Sequence, residues 1–376
     1  MDEHCVNFSS YGGTASDDKG PPRNQTCDYN YMNFPGEEGG IETGDHALFT
    51  ARVFIGVTLV CVMIVCGIGN FLFIITLARF KKLRNVTNLL ITNLAISDLI
   101  VAVVCCPFEI DYYVIREQYW NFGRVLCSSI NYLRMVSLYV STNALLAIAV
   151  DRYMVIVYPL KPRMNYRTAC GILIMMWVIS LLIAGPSAYF TSEIILGDVL
   201  DPSSKIFCGQ IWPADKEVFY KSYFLFLFAA EFVAPVVTMS MCYIRICHEL
   251  WFKDLPGVQT EQLKSRLHAR RKTVLVLIWI LSAYILCWAP YYSYAIVRDF
   301  FPNILLREKH SLSVYYIVEC IAISNSMINT LFFVTVKNNT GKYVKKFLVK
   351  RWKYSYSTEK NITEQECRSS LPPVSL

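Results

Sequence analysis

NLLITNLAISDLIVAVVCCPFEIDYY, running from Asn88 to Tyr113, is longer than the ~20 apolar residues that cross a bilayer as helix, yet it holds Asp98 and Glu109. A carboxylate at membrane depth costs several kcal/mol unless it finds a partner or water. A span that keeps two such groups is therefore using them. Outward from this stretch, further apolar runs lie at about 49–78, 125–157, 168–190, 219–247, 273–297 and 311–336. With 88–113 they make seven spans, and an all-α membrane bundle is the fold class expected.

Composition agrees. Hydrophobic residues make up 54% of the 376 and charged residues only 17%, against about a quarter in soluble domains. The mean hydropathy is +0.36. A soluble enzyme is excluded on these grounds, and a disordered chain is excluded by 14% aromatic residues. The net charge of +7 raises nucleic acid as a partner, but its distribution argues for a membrane instead. Residues 1–50 carry nine acidic side chains against Lys19 and Arg23, and the positive charge gathers in alternate connections: Arg79 to Arg84, Lys161 to Arg167, Lys264 to Lys272 and Lys342 to Arg351. By the positive-inside rule these face the cytosol, which puts the N-terminus outside. Asn7-Phe8-Ser9 and Asn24-Gln25-Thr26 are glycosylation acceptors on that outer tail. The expected division is an extracellular tail at 1–48, a seven-span domain at 49–337, an amphipathic cytoplasmic helix at 338–352 and a disordered tail at 353–376. No Walker loop, zinc-binding His-Glu-x-x-His or nucleophile elbow occurs, so nothing points to an enzyme.

The polar groups inside the spans are Asn70, Asn93, Asp98, Glu109, Arg134, Asn143, Asp151-Arg152, Glu231, Glu319, Asn325 and Asn329. Helix–helix hydrogen bonding accounts for an isolated Asn, but poorly for Asp98, which has no cation within a helical turn. Gly69-Asn70, Asn93-Leu94-Ala95-x-x-Asp98, Asp151-Arg152-Tyr153, Trp177, Pro235 and Cys287-Trp288-x-Pro290, in this order, resemble a rhodopsin-class G-protein-coupled receptor. The resemblance covers about 49–352. It implies a disulfide between Cys127 and Cys208 beside Trp120-x-Phe122-Gly123. It also implies a switch made of Trp288, Pro290, Asp151, Arg152, Tyr153, Tyr243 and Asn329, and a small polar pocket of Asp98, Ser141, Asn325, Ser326 and Asn329. A carboxylate ringed by hydroxyl and amide oxygens suits sodium, although water suits the same place. No other cofactor is expected.

Two positions depart from that class. Asn329-Thr330-Leu331-Phe332-Phe333 stands where Asn-Pro-x-x-Tyr is usual, and Arg270 stands where an acid often holds the arginine equivalent to Arg152. Asp151 is then the main local partner expected for Arg152. Within the class, Cys105-Cys106-Pro107-Phe108-Glu109, Phe207-Cys208-Gly209-Gln210-Ile211-Trp212-Pro213 and the Thr/Phe variant of the seventh span are similar to the prokineticin receptors. That resemblance implies a secreted cysteine-rich peptide ligand, a Gq-type heterotrimeric G protein, calcium mobilisation, arrestin and receptor kinases as partners, and a plasma-membrane location.

Glu109, Arg134, Glu231, Arg298 and Glu319 fall in the outer halves of their spans and are the expected ligand contacts. Arg134 would repel an ammonium, which disfavours a small amine, and the seventh span has no lysine for a retinal Schiff base. Mixed charges suit a peptide terminus. Alternatives stay open: a Glu109–Arg134 ion pair joining two helices, Trp288 as an aromatic beside an unavoidable kink, a receptor for a different peptide, and a seven-span transporter or channel with an ion path through Asp98, Arg134 and Glu319.

Overall fold

In the computed structural model, residues 41–80, 85–196, 205–213, 217–252, 261–305 and 311–335 are described. Seven long helices follow one another: α1 Ile41–Arg79, α2 Val86–Ile115, α3 Gly123–Val157, α4 Tyr166–Tyr189, α5 Glu217–Phe252, α6 Glu261–Phe300 and α7 Ser311–Thr335. The first six are long and apolar enough to cross a bilayer. α7, with 25 residues, is about 37 Å long at the usual helical rise. A hairpin of β1 Thr191–Leu196 and β2 Lys205–Gln210, paired antiparallel with Glu193 opposite Cys208, covers one end.

Neighbours close into a ring, α1 on α2 and α7, α7 on α6, α6 on α5, with α3 packed on α2, α4 and α5. Burial shows which helices are central. In the most apolar stretches of α2 and α3, 61% and 56% of residues are buried, against 22% in α4 and α5. The unburied faces carry Val57, Ile64, Ile68, Ile174 and Leu182, apolar side chains that only lipid accommodates at this density. The chain is a multi-pass membrane protein.

Prolines set the irregularities. Pro107 offers no N–H, the turn before it widens, and the Cys106 N–H reaches back five residues to the Val101 carbonyl. Pro235 does the same to α5, where the Ala234 N–H reaches the Ala229 carbonyl. By contrast α7 continues unbroken through Asn329-Thr330, where no proline intervenes. Asn85 and Asn165 cap α2 and α4, their side chains accepting the backbone N–H groups of Asn88 and Thr168 at 2.8 and 2.7 Å. Between α2 and α3 the Trp120 N–H bonds to the Ile206 carbonyl at 2.7 Å and its indole to the Gly123 carbonyl at 3.1 Å. Gly123 has φ of +82°, a conformation other residues rarely adopt, and this turn needs it.

Several helices outrun their apolar runs. The helix of α1 begins at Ile41, ahead of its spanning stretch from Leu48, and that of α6 begins at Glu261, ahead of the apolar run near 273. The expected outer tail at 1–48 therefore overlaps the start of α1. Asn7, Asn24, the helix expected at 338–352 and the tail at 353–376 lie outside the described residues.

Candidate functional site

At the hairpin end, Cys127 at the start of α3 is disulfide-bonded to Cys208 on β2. Beneath this tether lies a charge cluster. Arg134 of α3 donates through Nη1 to Glu319 Oε1 of α7 at 2.7 Å, and its Nε lies 3.3 Å from Glu109 Oε1 of α2. All three are largely buried, and two carboxylates share one guanidinium. Glu319 Oε2 is buried with no hydrogen-bond partner among the described residues. The cluster thus joins three helices and still holds a carboxylate oxygen open to a further cation or donor.

Arg298 belongs to a second group. Its Nε bonds to Asp299 Oδ1 at 2.7 Å, its Nη2 donates to the Tyr220 hydroxyl at 3.0 Å, and that hydroxyl donates to Asp299 Oδ2 at 2.7 Å. This network ties α5 to α6. Tyr291 and Tyr315 lie within electrostatic reach of both Arg134 and Arg298, so the two groups border one aromatic vestibule. Asp299 and Tyr220 are absent from the sequence reading. Asp299 is legible only as an acid beside Arg298, and Tyr220 carries no signal.

Glu231 lies deeper, apart from both groups. Its backbone carbonyl is the one that Pro235, four residues on, cannot satisfy, and the Tyr284 hydroxyl donates to it at 2.6 Å. Tyr284 also lies 3.4 Å from the Thr142 hydroxyl, and Glu231 Oε2 has no hydrogen-bond partner among the described residues. From the vestibule inward, ring contacts run from Tyr291 to Trp288 at 5.8 Å and from Trp288 to Tyr284 at 6.4 Å. Trp288, two residues before Pro290, is buried with its indole N–H unbonded among the described residues. A side chain held by packing alone can move without breaking a hydrogen bond.

Midway down the bundle, Asp98 Oδ1 lies 3.5 Å from the Ser141 hydroxyl, and the Ser326 hydroxyl bonds to the same carboxylate. The carbonyl oxygens of Asn325 and Asn329 are buried without partners among the described residues. An all-oxygen set with unsatisfied carbonyls fits a hard monovalent cation, and equally fits water. Thr330 makes good the missing proline. Its hydroxyl donates to the Ser326 carbonyl at 2.9 Å and accepts the Asn70 amide at 3.0 Å, stitching α1 to α7. Asn93 accepts the Trp177 indole N–H at 2.8 Å.

At the opposite end, Arg152 Nη2 lies 3.1 Å from Asp151 Oδ2 and donates to the Thr87 hydroxyl, which itself donates to Asp151 Oδ2 at 3.0 Å. Thr87 was invisible in the sequence, where a threonine in the first turn of a span is ordinary. Arg270 is exposed, while Arg271 donates twice to the Leu250 carbonyl, at 3.0 and 2.6 Å, and stacks 5.3 Å from the Trp251 ring. These bonds hold α6 against α5. Tyr243 is buried within electrostatic reach of Arg152, and Tyr153 packs on Tyr158 with ring centroids 5.8 Å apart. Between Arg152 and α6 lies a cleft of about 190 Å³, lined by Ile156, Ala269, Arg270 and Val274.

A ring of seven helices, a hairpin tethered to the third, a buried polar cluster at mid-depth and an arginine held at the far end define a seven-transmembrane receptor. The sequence profile of the 7 transmembrane receptor (rhodopsin family) matches residues 69–332. Over 346 residues the chain is 60% identical to prokineticin receptor 1 of Bos taurus, covering 92% of this chain and 88% of the relative. It is 60% identical over 332 residues to prokineticin receptor 2 of Homo sapiens, covering 88% and 86%. It is 58% identical over 361 residues to prokineticin receptor 2 of Mus musculus, covering 95% and 94%. The chain belongs to the prokineticin receptor family, whose members are not enzymes.

Proposed function

We propose that this protein is a plasma-membrane receptor with its N-terminus outside, which binds a secreted prokineticin-type peptide at the vestibule and activates a Gq-type heterotrimeric G protein to mobilise calcium. The observation that carries the reading is the Glu109–Arg134–Glu319 cluster with its unpartnered Glu319 oxygen. A peptide N-terminus brings an ammonium for that oxygen and carbonyls for the Arg134 guanidinium, so it competes for bonds that now hold α2, α3 and α7 together. Arg298 supplies a second cation at the rim. Glu231, deeper in the bundle, acts through the Tyr284 contact instead of touching the ligand.

A ligand shifts the equilibrium only by binding the open arrangement better than the closed one. Rearrangement around Tyr291 displaces Trp288, releases Tyr284 from the Glu231 carbonyl and lets α6 swing at Pro290, breaking the Arg271–Leu250 bonds. Arg152, freed from Asp151 and Thr87, then offers its donors to a G-protein helix seated in the widened cleft. Leu160, 99% exposed in the loop after α3, is an apolar contact for the same partner. Asp98, Ser141, Ser326, Asn325 and Asn329 would hold a sodium ion, whose charge would favour the arrangement that keeps these oxygens together. Receptor kinases and arrestin act on the C-terminal tail, outside the described residues.

Calcium release in transfected cells challenged with prokineticin and a panel of unrelated peptides tests this reading. A response to prokineticin alone, lost in Arg134→Ala and Glu109→Ala variants that reach the surface, supports it. A response to a different peptide reassigns the ligand. Solute flux by the purified protein in vesicles, with no nucleotide exchange on an added G protein, replaces the receptor reading with a transporter.

A further inference from the structure

A second cleft, about 630 Å³, opens sideways at the Arg152 end between α3, α4 and the loop that joins them. Its size falls within the ~300–1,000 Å³ of small-molecule sites. The vestibule and the Asp98 pocket share none of its lining, and it borders the groove beside Arg152 at Val155 and Arg270. Leu146, Val150, Met154, Met175 and Ile179 form its walls. Val150 and Met154 are each 39% exposed, Met175 55% and Ile179 42%, so the open side faces the hydrocarbon of the bilayer.

Its rim is cationic. Lys161 and Arg163 from the loop and Arg270 from α6 line it, all exposed. Lys161 is held there by the Tyr158 ring, 4.6 Å from its Nζ. The one carboxylate among the described lining residues, Asp151, is engaged by Arg152 and Thr87 and does not neutralise the rim. Apolar walls under a basic edge match one chemistry. A soluble anion gains nothing from the walls, and an uncharged hydrophobe gains nothing from the rim.

We propose that this cleft binds an anionic phospholipid, with an acyl chain laid along Val150, Met154, Met175 and Ile179 and its phosphate between Lys161 and Arg163. The inference needs the chain to span a membrane and needs neither its orientation nor its peptide.

The full chain, reconstituted in nanodiscs of phosphatidylcholine containing a phosphatidylserine with a photoreactive diazirine in its acyl chain, supplies the test. On illumination, label is expected to concentrate on residues 146–154 and 172–179. A Lys161→Gln/Arg163→Gln variant, altered only at exposed positions, is expected to lose roughly tenfold of that label. Labelling of the outward face of α1 stays constant and serves as the internal standard. Ile179→Trp, which fills the cleft without touching its charge, is expected to reduce the same label. Uniform labelling around the bundle, label indifferent to the Lys161/Arg163 pair, or equal concentration of a phosphatidylcholine probe overturns the proposal. Displacement of the label by free inorganic phosphate overturns it too, since the walls would then contribute nothing.

Discussion

Replacing Arg134 by methionine removes the cation shared by two acids while roughly keeping the volume. The side chains of Glu109 and Glu319 are only 11% and 4% exposed, so neither carboxylate recovers full hydration when its partner goes. Breaking a buried pair from one side costs about 3–5 kcal/mol, because a charge is left uncompensated. For a single cooperative transition of about 300 residues that is a fall in Tm of roughly 5–8 °C. Converting both acids to their amides as well removes the stranded charge, and a Glu109→Gln/Arg134→Met/Glu319→Gln variant recovers most of the loss. The buried thiols Cys66, Cys105, Cys106 and Cys320 supply the assay, since a thiol-reactive dye reports their exposure as the detergent-purified protein is heated. Both variants are expected to lose peptide binding, which separates the cluster's role in stability from its role in recognition. Arg134→Met melting with the parent protein, or the triple variant melting no higher than the single one, refutes the reasoning.

Other perturbations read other joints. Thr330→Val keeps the shape but strands the buried Asn70 amide and should cost about 1–3 kcal/mol in the same melting assay, whereas Thr330→Pro should restore a kink to α7 and cost about 3 kcal/mol or more. Thr87→Val removes one of the two bonds holding Arg152, and basal nucleotide exchange on an added G protein should rise about fivefold without ligand; an unchanged basal rate would place Thr87 outside the switch. Leu160→Asp should leave peptide affinity intact and sharply reduce agonist-stimulated exchange, as measured on membranes with purified G protein. Raising sodium should increase the Tm of the parent protein and leave Asp98→Asn unmoved; equal sodium responses would assign that pocket to water alone.

Hydropathy alone located the spans, because lipid demands about 20 apolar residues wherever a helix crosses. It placed the first apolar run near 49, where the spanning stretch begins at Leu48, but it is silent on the helix that continues outside the apolar runs, from Ile41 in α1 and from Glu261 in α6. Of the vestibule, the charged residues were legible one by one, since a charge in an apolar run stands out. Their partners were not. Arg134 and Glu319 are 185 residues apart, and nothing in either neighbourhood specifies that they meet. Glu231 illustrates a different limit: its carboxylate, which bonds to Asn143, drew attention, while nothing in the sequence marked its backbone carbonyl, freed by Pro235 and claimed by Tyr284. Thr87, in the first turn of α2, escaped notice, and Arg271 counted only as one charge of the basic Lys264 to Lys272 segment; both are made consequential by what packs beside them. The missing seventh-span proline was legible as a departure from Asn-Pro-x-x-Tyr. The structure adds that the threonine in its place forms a new bond to α1.

The central claim is that peptide bound at the vestibule moves the far end of α6 away from Arg152. Spin labels at Thr168 on α4 and Lys272 on α6, in a background cleared of reactive cysteines, report that distance directly. The account predicts a single short distance without ligand and a second, longer population with prokineticin, growing when G protein is added. An unchanged distance distribution with peptide and G protein both bound would contradict it.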